Sequence, residues 1–251
     1  MPHLRDTTLR LLSGLLVFGF SGGCLLEEPP RQETRSFEPA ISGLVVKTGS
    51  GDILVEQATD LSQIEVEAVI HGSATELRTE IVGDVLRLDH LCPARSRSCA
   101  VDWHVRLPQV AASLDSLTLD TGSGDVALRE LNGAVEIRTG SGDIELEAVH
   151  GTHFSFDTGS GDIDATACGA DSLGGQTGSG SLSLGLDRRP EVVELDTGSG
   201  DITLGLPGGR YALDIETGSG DIDVRGLDSD GQAERRVDLS TGSGDVLVHA
   251  H

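Results

Sequence analysis

Large side chains are scarce in this sequence. Aromatic residues make up 3% of its 251 positions, with one Trp, one Tyr and five Phe, and Met occurs once. A core that leans on rings is thereby excluded, and any core must be built from Val, Ile, Leu and Ala in narrow layers. Long apolar runs are missing too. The best, residues 11–20, covers about half of the ~20 residues that a bilayer-spanning helix needs. Positive charge is in short supply: 18 Lys and Arg face 41 Asp and Glu, for a formal charge of −23. Such a surface repels nucleic acid and anionic lipid headgroups, so neither is an expected partner, while it favours solubility and accepts divalent cations. Glycine is abundant at 34 residues, yet the Gly-X-Y period of collagen is absent. The glycines fall in clusters instead, which marks recurring turns.

Residues 1–23 read as a secretory signal. Arg5 and Arg10 form a basic start, residues 11–20 the apolar segment, and Ser21, Gly22 and Gly23 a stretch of small residues. Small residues ending at Cys24 resemble a bacterial lipobox. The resemblance implies that Cys24 carries lipid, begins the mature chain and anchors it to a membrane of the cell envelope, outer membrane or periplasm-facing. Ser21 stands where that signal usually has Leu, and simple secretion is the alternative. Residues 24–37 include Glu27, Glu28, Pro29 and Pro30, show no hydrophobic period, and read as a flexible tether. Cys92 and Cys99 bracket a short polar loop that a disulfide can pin in an oxidising compartment, leaving Cys168 over. A zinc reading of Cys92 and Cys99 with His90 and His104 matches no standard ligand spacing.

The dominant signal is a repeat. Thr-Gly-Ser-Gly begins at Thr48, Thr121, Thr139, Thr158, Thr177, Thr197, Thr217 and Thr241, with spacings of 18, 19, 19, 20, 20 and 24 from Thr121 onward. Asp follows at Asp52, Asp125, Asp143, Asp162, Asp201, Asp221 and Asp245, and Ser181 replaces it once. An aliphatic residue always comes next. Around Thr139 the apolar set is Val135 and Ile137 before the glycines, then Ile144, Leu146 and Ala148 after them. Both halves alternate as half-buried strands do, but the inward parity switches from odd to even between them. A chain that keeps its apolar face inward across such a switch must bend there. The corner glycines, Gly122, Gly124, Gly140, Gly142, Gly159, Gly161, Gly178, Gly180, Gly198, Gly200, Gly218, Gly220, Gly242 and Gly244, allow the φ values a tight corner can demand.

Each unit is therefore strand, glycine corner, strand and looser turn, and stacked units share one thin core. The expected fold is an all-β, single-stranded β-solenoid of about 19–20 residues per coil, with coils about 4.8 Å apart. Residues 111–251 hold the regular coils, stacked in sequence order. Residues 38–110 are less regular. Their alternating runs at 64–70, 77–81, 85–88 and 101–108 read as a first coil plus cap strands, continuous with the rest, as the terminal repeats of solenoids are atypical.

The Gly-Ser-Gly-Asp-Ile repeats, the irregular N-terminal hairpins and Val105-Arg106-Leu107-Pro108 ahead of the regular coils resemble a bacterial family of unknown function. Its members are labelled putative adhesins and are related to the head-domain (head-GIN) auto-transporter adhesins. The resemblance covers about residues 40–249 and implies a β-solenoid on the cell envelope. It supplies no catalytic residues.

The motifs touch on three other chemistries. Asp-Thr-Gly-Ser at Asp120, Asp157 and Asp196 matches the signature around an aspartic protease carboxylate. That chemistry needs two opposed Asp sharing a proton, and here the same slot holds Lys47, Arg138 and Gln176 in other copies. Phosphate loops need a helix N-terminus and usually a Lys after the glycines; neither is present. The column formed by Asp125, Asp143, Asp162, Asp201, Asp221 and Asp245 admits two readings. The carboxylates can accept hydrogen bonds from corner N–H groups, or they can bind Ca²⁺, which needs six or more oxygens. His150 and His153 lie by a looser turn with no triad order around them. The expectation is a non-catalytic, adhesin-like or structural binding protein of the cell envelope with an unidentified protein or polysaccharide partner and no required cofactor. A regulatory partner of a membrane complex is the alternative, and a polysaccharide-active enzyme lacks its paired carboxylates and aromatic platforms.

Overall fold

The computed structural model describes residues 29–72, 75–92 and 99–251. The expected signal (1–23), Cys24 with its lipid, and the first part of the tether lie outside the described residues. The N-terminal strands are β1 (Arg31–Phe37), β2 (Gly43–Thr48), β3 (Ile53–Ala58), β4 (Ile64–His71), β5 (Glu76–Val82), β6 (Val85–Leu91) and β7 (Ala100–Pro108). After a single turn of 3-10 helix come β8 (Ser113–Thr121), β9 (Val126–Arg129), β10 (Asn132–Thr139), β11 (Ile144–Glu147), β12 (His153–Thr158), β13 (Ile163–Cys168), β14 (Ser172–Thr177) and β15 (Leu182–Leu186). The chain ends through β16 (Val192–Thr197), β17 (Ile202–Leu206), β18 (Arg210–Thr217), β19 (Ile222–Arg225), β20 (Asp228–Ser229), β21 (Arg236–Thr241) and β22 (Val246–Ala250).

These strands form two sheets of eleven strands each. The strand before each glycine corner lies in one sheet, and the strand after it lies in the other. Equivalent strands of neighbouring coils pair in parallel and in register, as in Ile137↔Phe156 and Ile144↔Ile163. The parity switch is the reason the two sheets can face each other. Val135, Ile137 and Thr139 point inward on one side of the corner, Ile144 and Leu146 on the other, and all are at most 5% exposed. The all-β solenoid read from the sequence is the fold observed. Ala148 departs from its expected place: β11 ends at Glu147, and Ala148 turns to φ 52° so that Val149, fully buried, becomes the next core residue.

The tether expected over 24–37 is corrected at its C-terminal half. Arg31–Phe37 is a strand, β1, antiparallel to β4 from Arg31↔Ile70 to Phe37↔Ile64. Its residues are too polar to show a hydrophobic period. Backbone pairing along an open edge holds it, with Gln32 donating to Glu67 at 2.6 Å, and its charges blunt the sheet edge. The 38–110 region is also more solenoid-like than its sequence. β6 runs parallel to β2 and β7 parallel to β3, so these two strands form the two sides of a coil outside the first one. Only β1, β4 and β5 are antiparallel additions.

The coil order at the other end is a second correction. The final coil, β21–β22, does not stack last. It inserts between β16–β17 and β18–β19, because β21 pairs with both β16 and β18, and β22 with both β17 and β19. The preceding coil, β18–β19, is therefore the end of the column. There the core runs out: Ile222 and Val224 are 46% and 40% exposed, whereas their counterparts Val246 and Val248 in the inserted coil are buried.

Candidate functional site

In the interior coils, the Thr hydroxyl, the Asp carboxylate and the glycine N–H groups of the repeated corner each pair with a neighbouring coil. The Thr hydroxyl is buried and donates to the carbonyl of the second glycine one coil back: Thr139 to Gly124 at 3.1 Å, Thr158 to Gly142 and Thr177 to Gly161 at 3.0 Å. The first glycine N–H donates to the previous Thr carbonyl, as Gly140 does to Thr121 at 3.2 Å. The reason for the glycines is sharper than conformational freedom. A Cβ on Gly142 would sit 2.0 Å from the carbonyl oxygen of Gly124. The corner backbones approach so closely that no side chain fits between them.

The Asp column is a hydrogen-bond ladder. Asp125 Oδ1 accepts the backbone N–H of Asp143 at 2.9 Å, Asp143 that of Asp162 at 2.8 Å, and Asp162 that of Ser181 at 2.7 Å. Ser181 keeps the ladder with a neutral acceptor, its Oγ taking the Asp201 N–H at 3.3 Å. The coil insertion then reorders the column, so Asp201 serves Asp245 and Asp245 serves Asp221. A member that motif spacing missed stands at the far end: Asp102 accepts from the Asp52 N–H at 3.1 Å and from His71 Nε2 at 2.9 Å. The loop between β6 and β7 had hidden it, although Asp102-Trp103-His104-Val105 repeats the pattern of Asp52-Ile53-Leu54-Val55. Among the described residues, the only three metal-ligating side chains brought together are His90, Cys92 and Cys99. Crowding of acids is felt nearby. Burial pushes the Asp164 carboxyl up, and the charges of Asp162, Asp143 and Glu145 push the same way against a hydrogen bond from Ser183.

Two like charges at ~5 Å repel by about 1 kcal/mol in a water-like medium. Asp143 has two such neighbours, which outweighs the advantage of a charged acceptor at an exposed site, about 0.5–1 kcal/mol. Asp143→Asn keeps an Oδ1 for the Asp162 N–H and should raise the melting temperature by a few degrees at low salt. Calorimetry in 1 M salt should show that gain largely screened away. Added EDTA should leave the wild-type transition in place. A rise with Ca²⁺ would assign the column to a cation instead.

The outer face of the sheet carrying β2, β8, β10, β12, β14 and β16 is an array of polar rows. One row runs Lys47, Asp120, Arg138, Asp157, Gln176, Asp196 in register from coil to coil. The three Asp-Thr-Gly-Ser carboxylates thus lie side by side with other side chains between them, facing solvent, with no opposed pair. Beside this row, Gly174 on β14 leaves a shallow cleft of about 510 Å³, lined by Arg138, Ser155, Asp157, Gln176, Glu194 and Asp196. A Cβ on Gly174 would meet only one atom, 4.0 Å away.

The family description Toastrack DUF4097 matches residues 41–249. The chain belongs to the Toastrack DUF4097 family. Among solved structures, a protein described as a putative adhesin from Bacteroides fragilis is similar at a TM-score of 0.56 and 15% identity, over 87% of this chain and 97% of that one. Another described as a putative adhesin, from Parabacteroides merdae, covers 89% of this chain and 96% of its own at a TM-score of 0.48 and 10% identity. Identities this low show the fold alone. No curated protein matches.

Two further clusters complete the Toastrack surface. Cys92 and Cys99 are disulfide-bonded, with Cα atoms 5.8 Å apart, across the loop that replaces the glycine corner between β6 and β7. His90 lies beside them, 8% exposed, with Nδ1 unpartnered; burial lowers its pKa, against Asp89 and the Lys47 carbonyl. His104 does not join them. It donates to Glu56 at 2.8 Å on the outer face of the other sheet. At the looser turns, His150 Nε2 meets Asp187 Oδ2 at 2.8 Å, a carboxylate from 37 residues downstream. No regular spacing marks the pair, because the looser turns vary in length. Cys168 is a buried free thiol, and burial raises its pKa.

Proposed function

We propose that this chain is a non-catalytic binding module of the bacterial cell envelope, adhesin-like, held to a membrane by lipid on Cys24. The observation that carries the reading is the cleft at Gly174 in a registered face of polar rows. Side chains repeating every ~4.8 Å along a rigid sheet suit an extended partner, a polysaccharide or a protein strand, better than a small substrate. The adhesin description of the Bacteroides fragilis structure supports the same class of role through the shared fold.

The full chain, expressed in a bacterium, should take up an alkyne-palmitate label and sediment with membranes. Cys24→Ala should lose both. Cells carrying it should adhere to at least one surface in a panel coated with polysaccharides or matrix proteins. Gly174→Lys, which fills the cleft where a side chain has room, should cut that adhesion about tenfold with the melting temperature unchanged. Equal adhesion by cells with and without the chain, or turnover of a polymer by the purified protein, would sink the reading.

A further inference from the structure

The two ends of the solenoid are finished differently. At the N-terminal end the chain adds β1, β4 and β5, and the core residues Ile64, Val66, Ala68 and Ile70 of β4 are at most 1% exposed. At the other end, among the described residues, nothing comparable follows β18–β19. β20 pairs only with Arg210 and Tyr211 of β18, and β19 is the last strand of its sheet. Ile222 and Val224, inward-facing by register with the buried Val246 and Val248, stand open to solvent.

The corner ladder is also left unfinished there. In the interior, the Asp201 carboxylate accepts the Asp245 N–H, the Gly200 carbonyl accepts the Thr241 hydroxyl, and the Ile202 N–H donates to the Asp245 carbonyl. Among the described residues, the equivalent Asp221 carboxylate, Gly220 carbonyl and Ile222 N–H have no partner on the open side. A strand edge with an apolar rim and unpaired backbone groups is a template for another strand.

Charge says what kind of strand. Asp214, Glu216, Asp221, Asp223, Asp228 and Asp230 all belong to the terminal coil or the turn after it. Of the basic residues nearby, Arg225 is held by Asp223 and Arg210 by Asp230. A second copy would bring this acidic rim against itself. The chain's own N-terminal segment enters at β1, ten strand positions away along the same sheet. We propose that this open end is a strand-addition site for an extended segment of another protein in which apolar residues alternate with Lys or Arg. Its apolar side chains would cover Ile222 and Val224, its backbone would complete the edge, and its cations would meet the acidic rim. The proposal does not depend on the sheet face or on the Cys24 anchor.

Fluorescence anisotropy with the purified protein tests it, using a labelled eight-residue peptide of alternating Lys and Val. Binding should be at least tenfold tighter than for a peptide of the same composition in two blocks, or for alternating Glu and Val. I222K/V224K should lose it more than tenfold, and both positions are exposed enough to accept Lys without unfolding the coil. Val82→Lys, an exposed position on β5 at the opposite end, should bind as wild type. Equal binding of the blocked peptide, or equal loss in both variants, would reduce the effect to unspecific attraction by an acidic protein and overturn the proposal. So would a concentration-dependent dimer in sedimentation velocity that I222K/V224K abolishes, which would give the end to a second copy.

Discussion

Gly142→Ala is expected to lower the melting temperature by about 10 °C, whereas Gly49→Ala should leave it nearly unchanged. Both are glycines of the Thr-Gly-Ser-Gly motif, Gly49 the first of its copy and Gly142 the second of its own. They differ in what stands against them. The added methyl at position 142 meets the Gly124 carbonyl oxygen at 2.0 Å, a backbone atom that the parallel ladder holds in place; at position 49 it meets nothing within 4 Å among the described residues. Relief at 142 requires prising two coils apart and weakening the Thr158 and Gly140 bonds on either side. Overpacking against fixed backbone costs about 3 kcal/mol or more, and a domain of this size loses about 2–4 °C per kcal/mol. Scanning calorimetry on the two variants decides the matter. A Gly142→Ala transition within 2 °C of wild type would show that the corners breathe and that close approach is not why the glycines are there.

Phe156→Ala should cost about 4 kcal/mol, near the upper part of the usual range for such truncations. Phe156 is 2% exposed and faces Gly175 in the next coil, with the Phe154 ring 5.8 Å away. Removing the ring leaves its hole beside a residue that has no side chain to lean in. The same geometry predicts a change of sign. Gly175→Ala alone places a Cβ 3.0 Å from Leu195 Cδ2 and should destabilise. In the Phe156→Ala background, Leu195 has room to give way, and the added methyl should recover part of the loss. Urea titrations of the four proteins in this double-mutant cycle should show a coupling of about 1 kcal/mol or more. Strict additivity would mean that the two positions do not share one packing layer.

The regular coils were readable because two independent signals agree in them. Alternation gave the strands, and the change of parity across 140–143 gave the corner between two facing sheets. Reading the glycines as φ specialists found the right residues for an incomplete reason, since only stacked coils reveal the carbonyl at 2.0 Å. Asp102 escaped because its corner is split by the Cys92–Cys99 loop, so the motif to its left is gone while the pattern to its right survives. β1 escaped because an edge strand held by backbone pairing needs no apolar side chains. His150 and Asp187 come together through the looser turns, whose variable lengths carry no period. The coil exchange at the end could not be read at all. Thr217 and Thr241 carry the same corner, and either would stack on Thr197.

That last equivalence gives the molecule a history. Residues 210–225 precede residues 236–250 in the chain, and they carry a corner that matches β16–β17 just as well. In the finished protein that place belongs to β21–β22. The earlier coil must therefore be kept waiting, or be displaced when the last strands arrive, and the 24-residue step between the two corners supplies the slack for the later coil to slip underneath. Completion of the column thus waits until residues 236–250 have been made. A chain stopped short of residue 236 is not merely missing its tail, because it is free to close with the wrong neighbours, one coil shorter.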